Sequence, residues 1–232
     1  MMFLYALFFF YYLVNATDTI RLNTTNNLVL KGEVNSKMAT EFIYELNKRT
    51  NKSDIYVFLN TNGGSVQEGM KIISEINKYG SSCIAERAYS MGFAILQNCK
   101  QRYILPHGSI MQHQISLGVM NEKGKIDNYM NYIDQIEDQM TQVQSLRVGM
   151  SSDEFKLKTM NEWWLYGESA VTQKCVDKLI NVECSLELTR STYTEKKHGY
   201  TYTYSNCPLV TDEIKKKKNK DAEEIDYSFL FM

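Results

Sequence analysis

Proline is nearly missing from this chain, two residues in 232, which excludes a long Pro-rich linker. An excess of either charge is missing too. Twenty-six Lys and Arg against 27 Asp and Glu leave a net charge of −1, so no basic field draws the chain to nucleic acid. The five cysteines (Cys83, Cys99, Cys175, Cys184, Cys207) show none of the paired spacing of a metal site, and no metal or other cofactor is expected. No nucleotide-binding motif and no internal repeat is visible. What remains is a chain with 44% hydrophobic residues, enough for one packed domain with extensions.

The longest apolar run, Met1 to Val14, falls short of the roughly 20 residues that span a bilayer. It suits the apolar stretch of a secretory signal, and Val14-Asn15-Ala16 offers small residues for cleavage after Ala16. No Lys or Arg precedes it, which is atypical; an uncleaved anchor or half of an organelle signal is the alternative. Two Asn-x-Ser/Thr triplets follow, Asn23-Thr24-Thr25 and Asn51-Lys52-Ser53, which matter only in a glycosylating lumen. Cys83 and Cys99 sit in apolar segments and are expected to be small buried hydrophobes rather than disulfide partners. An odd cysteine count leaves at least one unpaired. The compartment therefore stays open between secretory pathway, organelle and cytoplasm.

From about Leu28 to Ile180 strand-like and helix-like segments alternate, the pattern of an α/β fold. Strands are predicted at Leu28–Leu30, Ile55–Leu59 and Cys83–Ala85. Two more, Tyr103–Leu105 and Ile110–Met111, flank a Pro106-His107-Gly108 turn, and a last one lies near Val176–Ile180. Helices are predicted over Ser36–Lys48, from Val66 to a stop at Gly80, over Met91–Gln97, and near Glu168–Lys174. A long amphipathic helix covers Ile126–Val148, with Ile126, Met130, Ile133, Ile136, Met140 and Val143 on one stripe. Ser151 to Glu154 reads as a capping box for a short helix. Three segments result: 1–16 signal-like, 17–185 the patterned domain, and 186–232 an extension. The extension carries a Thr/Tyr-rich hairpin or irregular stretch, then a mobile charged segment whose Lys215–Lys218 run is a solvated surface, an acidic stretch from Asp221 and an apolar end.

Chemistry concentrates between Asn60 and His113. Asn60-Thr61-Asn62-Gly63-Gly64-Ser65-Val66 is a Gly-Gly turn. Ala88-Tyr89-Ser90-Met91-Gly92 holds a serine between small residues at a strand-to-helix transition, and Met111-Gln112-His113-Gln114 ends an apolar strand with an imidazole. A serine hydroxyl needs a base to take its proton and backbone N–H donors for the oxyanion. Ser90, His113, and the N–H groups of Met91 and Gly64 supply those parts. Singly, each piece has a blander reading as a packing serine, an ordinary histidine or a plain turn; together and in order they read as an active site. His107 and His198 read as structural or surface residues.

These segments resemble the proteolytic subunit of the Clp protease, within the ClpP/crotonase fold. The Gly-Gly turn is similar to that family's Asn-Ser-Pro-Gly-Gly-Ser-Val. The serine segment resembles its Ala-Ala-Ser-Met-Gly, and Leu105-Pro106 through Gln114 its Leu-Pro and Met-Ile-His-Gln strand. Ala170 through Lys178 is similar to its closing Glu-Ala-x-x-x-Gly-Leu-x-Asp, with Lys174 in place of the glycine. The resemblance implies a ClpP/crotonase-like fold of repeated ββα units with a protruding handle helix at Ile126–Val148. It implies a serine endopeptidase with Ser90 as nucleophile, His113 as general base, and Gly64 and Met91 as oxyanion donors. The family's aspartate falls on Glu162, with Asn161 and Asp153 as other candidates for orienting the imidazole. Polypeptide substrates, heptameric rings (possibly stacked) and an AAA+ unfoldase are the implied partners, with no nucleic acid. A noncatalytic scaffold subunit and an ATPase-independent secreted or membrane-associated peptidase are the rival readings.

Overall fold

A computed structural model describes residues 18–219. The signal-like segment, the acidic stretch and the apolar end of the tail lie outside the described residues. Strand β1 (Thr19–Leu22) is followed by three strand–helix pairs: β2 (Asn27–Val34) and α1 (Ser36–Lys48), β3 (Tyr56–Gly64) and α2 (Val66–Tyr79), β4 (Ser82–Tyr89) and α3 (Met91–Gln97). Strand β5 (Arg102–Gln112) completes a parallel set in spatial order β2-β3-β4-β5. The C-terminal ends of all four strands therefore share one rim of the sheet.

Local chemistry sets the helix starts. Asn35 Oδ1 accepts the Met38 N–H at 3.0 Å to begin α1, and Ser65 Oγ accepts the Glu68 N–H at 3.3 Å to begin α2. Gly80, at φ 67°, ends α2. One sheet face buries Phe42, Leu46, Ile72, Ile76, Phe93 and Leu96 of the three helices. Alternate strand residues point the other way: Phe58, Ile84 and Leu105 form a second cluster on the opposite face.

The chain then runs through α4 (Lys123–Val148) and α5 (Ser152–Thr159), capped by Ser151 Oγ on the Glu154 N–H at 3.2 Å. Strand β6 (Trp163–Tyr166) lies antiparallel to β5, α6 (Glu168–Thr172) follows, and β7 (Lys178–Leu179) pairs parallel with β5 near its start. Strand β8 (Asn181–Cys184) pairs with β1 in parallel. Helix α7 (Leu186–Arg190) and the strands β9 (Thr192–Lys197), β10 (Tyr200–Ser205) and β11 (Lys215–Lys218) form the tail, its sheet ordered β11-β10-β9. Leu188 and Cys207 of the tail pack with Leu22, Phe58, Ile84, Leu105 and Ile180, so the extension covers the sheet face that the helices leave open.

The α/β architecture and the predicted helices match, with four differences. Tyr103–Leu105 and Ile110–Met111 are one strand: the Pro106-His107-Gly108 segment is absorbed where the register against β4 slips between Ala85 and Arg87. Cys83 and Cys99 are joined in a disulfide, and Cys184 and Cys207 in a second, because packing brings strand and helix ends together that sequence spacing does not relate. The lysine run is exposed, yet it is an edge strand held by β10 rather than a loose segment. Strands β1, β6 and β8 were not foreseen; each has only four residues and its partner is distant in sequence.

Of the first ten residues of α4, Ile126 is partly buried and the others are exposed. Burial begins at Ile133 and continues through Thr141, Gln144, Ser145 and Val148. Met130 and Val143 of the predicted apolar stripe stay 38% and 46% exposed, and Tyr129 and Tyr132 beside them are also open to solvent.

Candidate active site

Strand β4 delivers Ser90 to the C-terminal rim of the sheet, where the chain reverses into α3. Ser90 adopts φ 53° and ψ −118°, a conformation non-glycine residues rarely take and one that costs roughly 1–3 kcal/mol. The turn is held from several sides. Ser90 N–H donates to Met111 O at 2.8 Å, while Ser90 O accepts the N–H groups of Phe93 at 2.9 Å and Ala94 at 3.2 Å. The Ser90 hydroxyl makes no capping bond to α3. A serine spent on capping its own helix would have no hydroxyl left for chemistry; this one is not so spent.

Glycines make the turn possible. Gly63, at φ 91°, lies so close that a Cβ there would sit 2.6 Å from Tyr89 O, 2.7 Å from Ser90 Cβ and 2.9 Å from Met91 N. A Cβ on Gly92 would meet Thr61 Cγ2 at 2.7 Å. Gly63 and Gly64, expected to form a turn, instead end strand β3 paired with Glu33 and Val34 of β2, and this strand end packs against the backbone of the serine turn. Met91 is the first residue of α3, whose N–H a helix leaves without an internal partner.

His113 lies one residue past the end of β5 and is half-buried. The parallel register Tyr89↔Met111 sets Ser90 beside Gln112 and His113 one step further, on strands roughly 5 Å apart. Sequence and topology thus bring serine and histidine to adjacent strand ends. Among the described residues no hydrogen bond joins the Ser90 hydroxyl to the His113 ring. The His113 backbone N–H donates to Gln112 Oε1 at 3.2 Å, and Gln112 Nε2 donates to Gln144 Oε1 of α4 at 2.5 Å.

Glu162 precedes β6. The antiparallel register Gln112↔Trp163, continued one residue, sets Glu162 opposite His113. Its backbone is left-handed, at φ 64°. Its carboxylate, however, accepts the Trp164 Nε1–H at 2.9 Å, in an exposed position. Glu162 and His113 each lie one residue beyond the last β5–β6 pair, while the acid's hydrogen bond goes to an indole. Trp164 in turn packs edge-on against Tyr89, ring centroids 4.8 Å apart. Asn161 and Asp153 are exposed.

Sequence reasoning missed Glu137. It lies on α4 and lines with His113 a groove of about 240 Å³ that also includes Gln112, Thr141, Gln144 and Phe155. Its Oε1 accepts the Ile115 N–H at 3.4 Å, tying the segment after His113 to α4. On a long helix full of charged residues no local signal distinguishes it. A second groove, about 410 Å³ and mainly apolar, lies among Val66, Met70, Ile73, Ala94, Ile136 and Met140, beside the start of α2 and the serine-bearing helix.

The remaining cysteine is not a rival nucleophile. Burial pushes the Cys175 thiol up to about 12, with Arg102 opposing that shift, so it stays protonated at neutral pH. Close by, Arg102 binds Asp177 through its backbone N–H at 2.8 Å and through Nε at 3.2 Å and Nη2 at 2.5 Å. This pins the chain after α6 to β5, the strand that ends at His113.

A family model described as Clp protease matches residues 14–183. The chain is also 28% identical over 166 residues to the ATP-dependent Clp protease proteolytic subunit 2 of Pseudomonas aeruginosa, a stretch covering 68% of this chain and 82% of that protein.

Proposed function

The chain belongs to the Clp protease family, and from that premise we propose that it is a serine endopeptidase cleaving unfolded polypeptides through an acyl-enzyme. The observation that carries the reading is the strained turn at Ser90, packed against the Gly63-Gly64 end of β3 at the rim where His113 follows β5. In this reading Ser90 Oγ attacks the scissile carbonyl and His113 takes its proton. The imidazolium then gives that proton to the leaving amine, and water reverses the sequence on the acyl-enzyme.

Met91 N–H and Gly64 N–H would stabilise the oxyanion. Ser65 N–H donates to Val34 O, toward β2, at 2.8 Å. Gly64 carries no side chain to obstruct its N–H. Glu162 would orient the imidazole after releasing Trp164; catalytic hydrogen bonds commonly tighten only in the substrate complex. The apolar groove beside α3 suits an apolar substrate side chain.

Assembly into rings, and feeding by an AAA+ ATPase, are proposed from the family and from the ATP-dependent relative. The open apolar residues along α4 suit burial between subunits. A noncatalytic scaffold is the second reading, and the Glu162–Trp164 hydrogen bond is what favours it. Fluorophosphonate labelling of assembled protein separates the two. The peptidase reading expects labelling that Ser90→Ala abolishes, with casein cleavage in the same size-exclusion fractions; an unlabelled, correctly assembled oligomer would refute it.

A further inference from the structure

The two Asn-x-Ser/Thr triplets play no part in the peptidase chemistry, and both fold the same way. Asn51 Oδ1 accepts the Ser53 N–H at 3.0 Å and the Ser53 hydroxyl at 2.8 Å. Asn23 Oδ1 accepts the Thr25 N–H at 2.8 Å, the Thr25 hydroxyl at 2.7 Å and the Asn26 N–H at 3.0 Å. Each is an Asx turn in which the third residue's hydroxyl reaches the asparagine oxygen. The carboxamide is polarised on its oxygen side, leaving the nitrogen for other contacts. Asn51 is exposed, and its Nδ2 donates to Asp54 Oδ2, also at the surface, at 3.0 Å.

The two turns are neighbours. Arg49, at the end of α1, donates through Nη1 to Thr24 O and through Nη2 to Asn27 O. Both lie where β2 and β3 begin, on the rim opposite Ser90. A bulky group there would leave the serine rim open.

An independent feature points to the compartment. Disulfides Cys83–Cys99 and Cys184–Cys207 engage four cysteines, and Cys175 is buried. Such cross-links form and persist where the surroundings are oxidising. The secretory lumen is both oxidising and the place where asparagines in such triplets are glycosylated.

We infer that Asn51 and Asn23 carry N-linked oligosaccharides, acquired as the chain matures in that lumen. The co-reactant is a lipid-linked oligosaccharyl diphosphate, brought by the host's transferase. Asparagine Nδ2 attacks the anomeric carbon, so a C–N bond forms as the C–O bond to phosphate breaks. The lipid diphosphate leaves with the bonding electrons and Nδ2 gives up one proton. Asn51 keeps its second N–H for Asp54. This inference holds or fails without the peptidase chemistry; maturation in that lumen would favour an ATPase-independent peptidase over feeding by an AAA+ ATPase.

The test is expression of the full chain, with its own N-terminus, in a eukaryotic cell, followed by endoglycosidase treatment. Two mobility steps are expected, one missing in Asn51→Gln and the other in Asn23→Gln. Ser53→Ala, which keeps the asparagine and removes only the hydroxyl, should lose the same step as Asn51→Gln. A single step supports the residue whose substitution removes it and overturns the other assignment. Protein with no endoglycosidase-sensitive mass overturns the inference, as does protein kept in the cytosol with its cysteines reduced. Ser90→Ala should change none of these bands.

Discussion

Gly63→Ala tests the claim that the packed end of β3 holds the turn at Ser90. The new Cβ would lie 2.6 Å from Tyr89 O, 2.7 Å from Ser90 Cβ and 2.9 Å from Met91 N. Two of these neighbours are backbone atoms, which cannot swing aside as a side chain would. A side chain at φ 91° costs about 1–2 kcal/mol, and forcing a carbon into a filled space costs about 1–3 kcal/mol more. Gly32→Ala isolates the first contribution: Gly32 sits at φ 97° with nothing within 4 Å of its would-be Cβ. Urea unfolding should therefore show a loss of about 1–2 kcal/mol for Gly32→Ala and about 2–5 kcal/mol for Gly63→Ala. Because relief must come from moving Ser90 or Met91, kcat/KM on a fluorogenic peptide should fall about 100-fold in Gly63→Ala, the usual result of a misplacement near 1 Å. Gly32→Ala should stay close to the parent. If folded Gly63→Ala matched Gly32→Ala within about twofold in kcat/KM, the packed-turn argument would be wrong.

Lys174 adopts φ 57°, so Lys174→Gly should stabilise the chain by about 1 kcal/mol in urea unfolding, with activity unchanged. Asp177→Ala should destabilise by about 3 kcal/mol, because it strands the buried Arg102 guanidinium. Burial pushes the Asp177 carboxyl up, but hydrogen bonds and charge from Arg102, with Arg147 behind, hold it below its ordinary value. A depressed acid stabilises above its unfolded pKa of about 4 and loses that contribution as pH falls through the folded value. The stability gap between parent and Asp177→Ala should therefore narrow below about pH 4 and stay level above it. Iodoacetamide at pH 8 should leave Cys175 unmodified in the folded chain and alkylate it only on unfolding, since its thiol is buried and raised to about 12.

The parts legible in the sequence were those written in local patterns. Periodicity located α2 and α4, Gly80 the stop of α2, and Ser151 the cap of α5, because a helix is made of contacts three and four residues apart. The places of Ser90 at a strand-to-helix turn and of His113 at a strand end were readable for a related reason: a tight turn needs small neighbours and a strand needs an apolar run. Lys174 shows the reading from the other side. Where the resemblance expects glycine, the backbone is left-handed, so the departure noted in sequence is a point of strain. Pairing between distant segments was not legible. The sequence separates β1 from β8, Cys184 from Cys207, and Arg102 from Asp177 by intervals carrying no period. Glu162 lies between these cases. Its backbone register with His113 follows from an antiparallel ladder, while its bond to Trp164 depends on a side-chain rotation that no pattern encodes.

The bond between Cys83 and Cys99 closes a covalent ring whose circumference runs up β4, through the strained serine and back along α3. Closing a ring of about this size removes roughly 3 kcal/mol of disorder from the unfolded chain. Its location matters more than its size. Ser90, the proposed nucleophile, is a residue whose backbone would gain by relaxing, and it sits inside a loop tied at the base. Fraying of α3 alone cannot release it, because the helix end stays fastened to the strand. An excursion that unbends Ser90 therefore leaves the far ends of β4 and α3 joined to each other, which favours return to the turn.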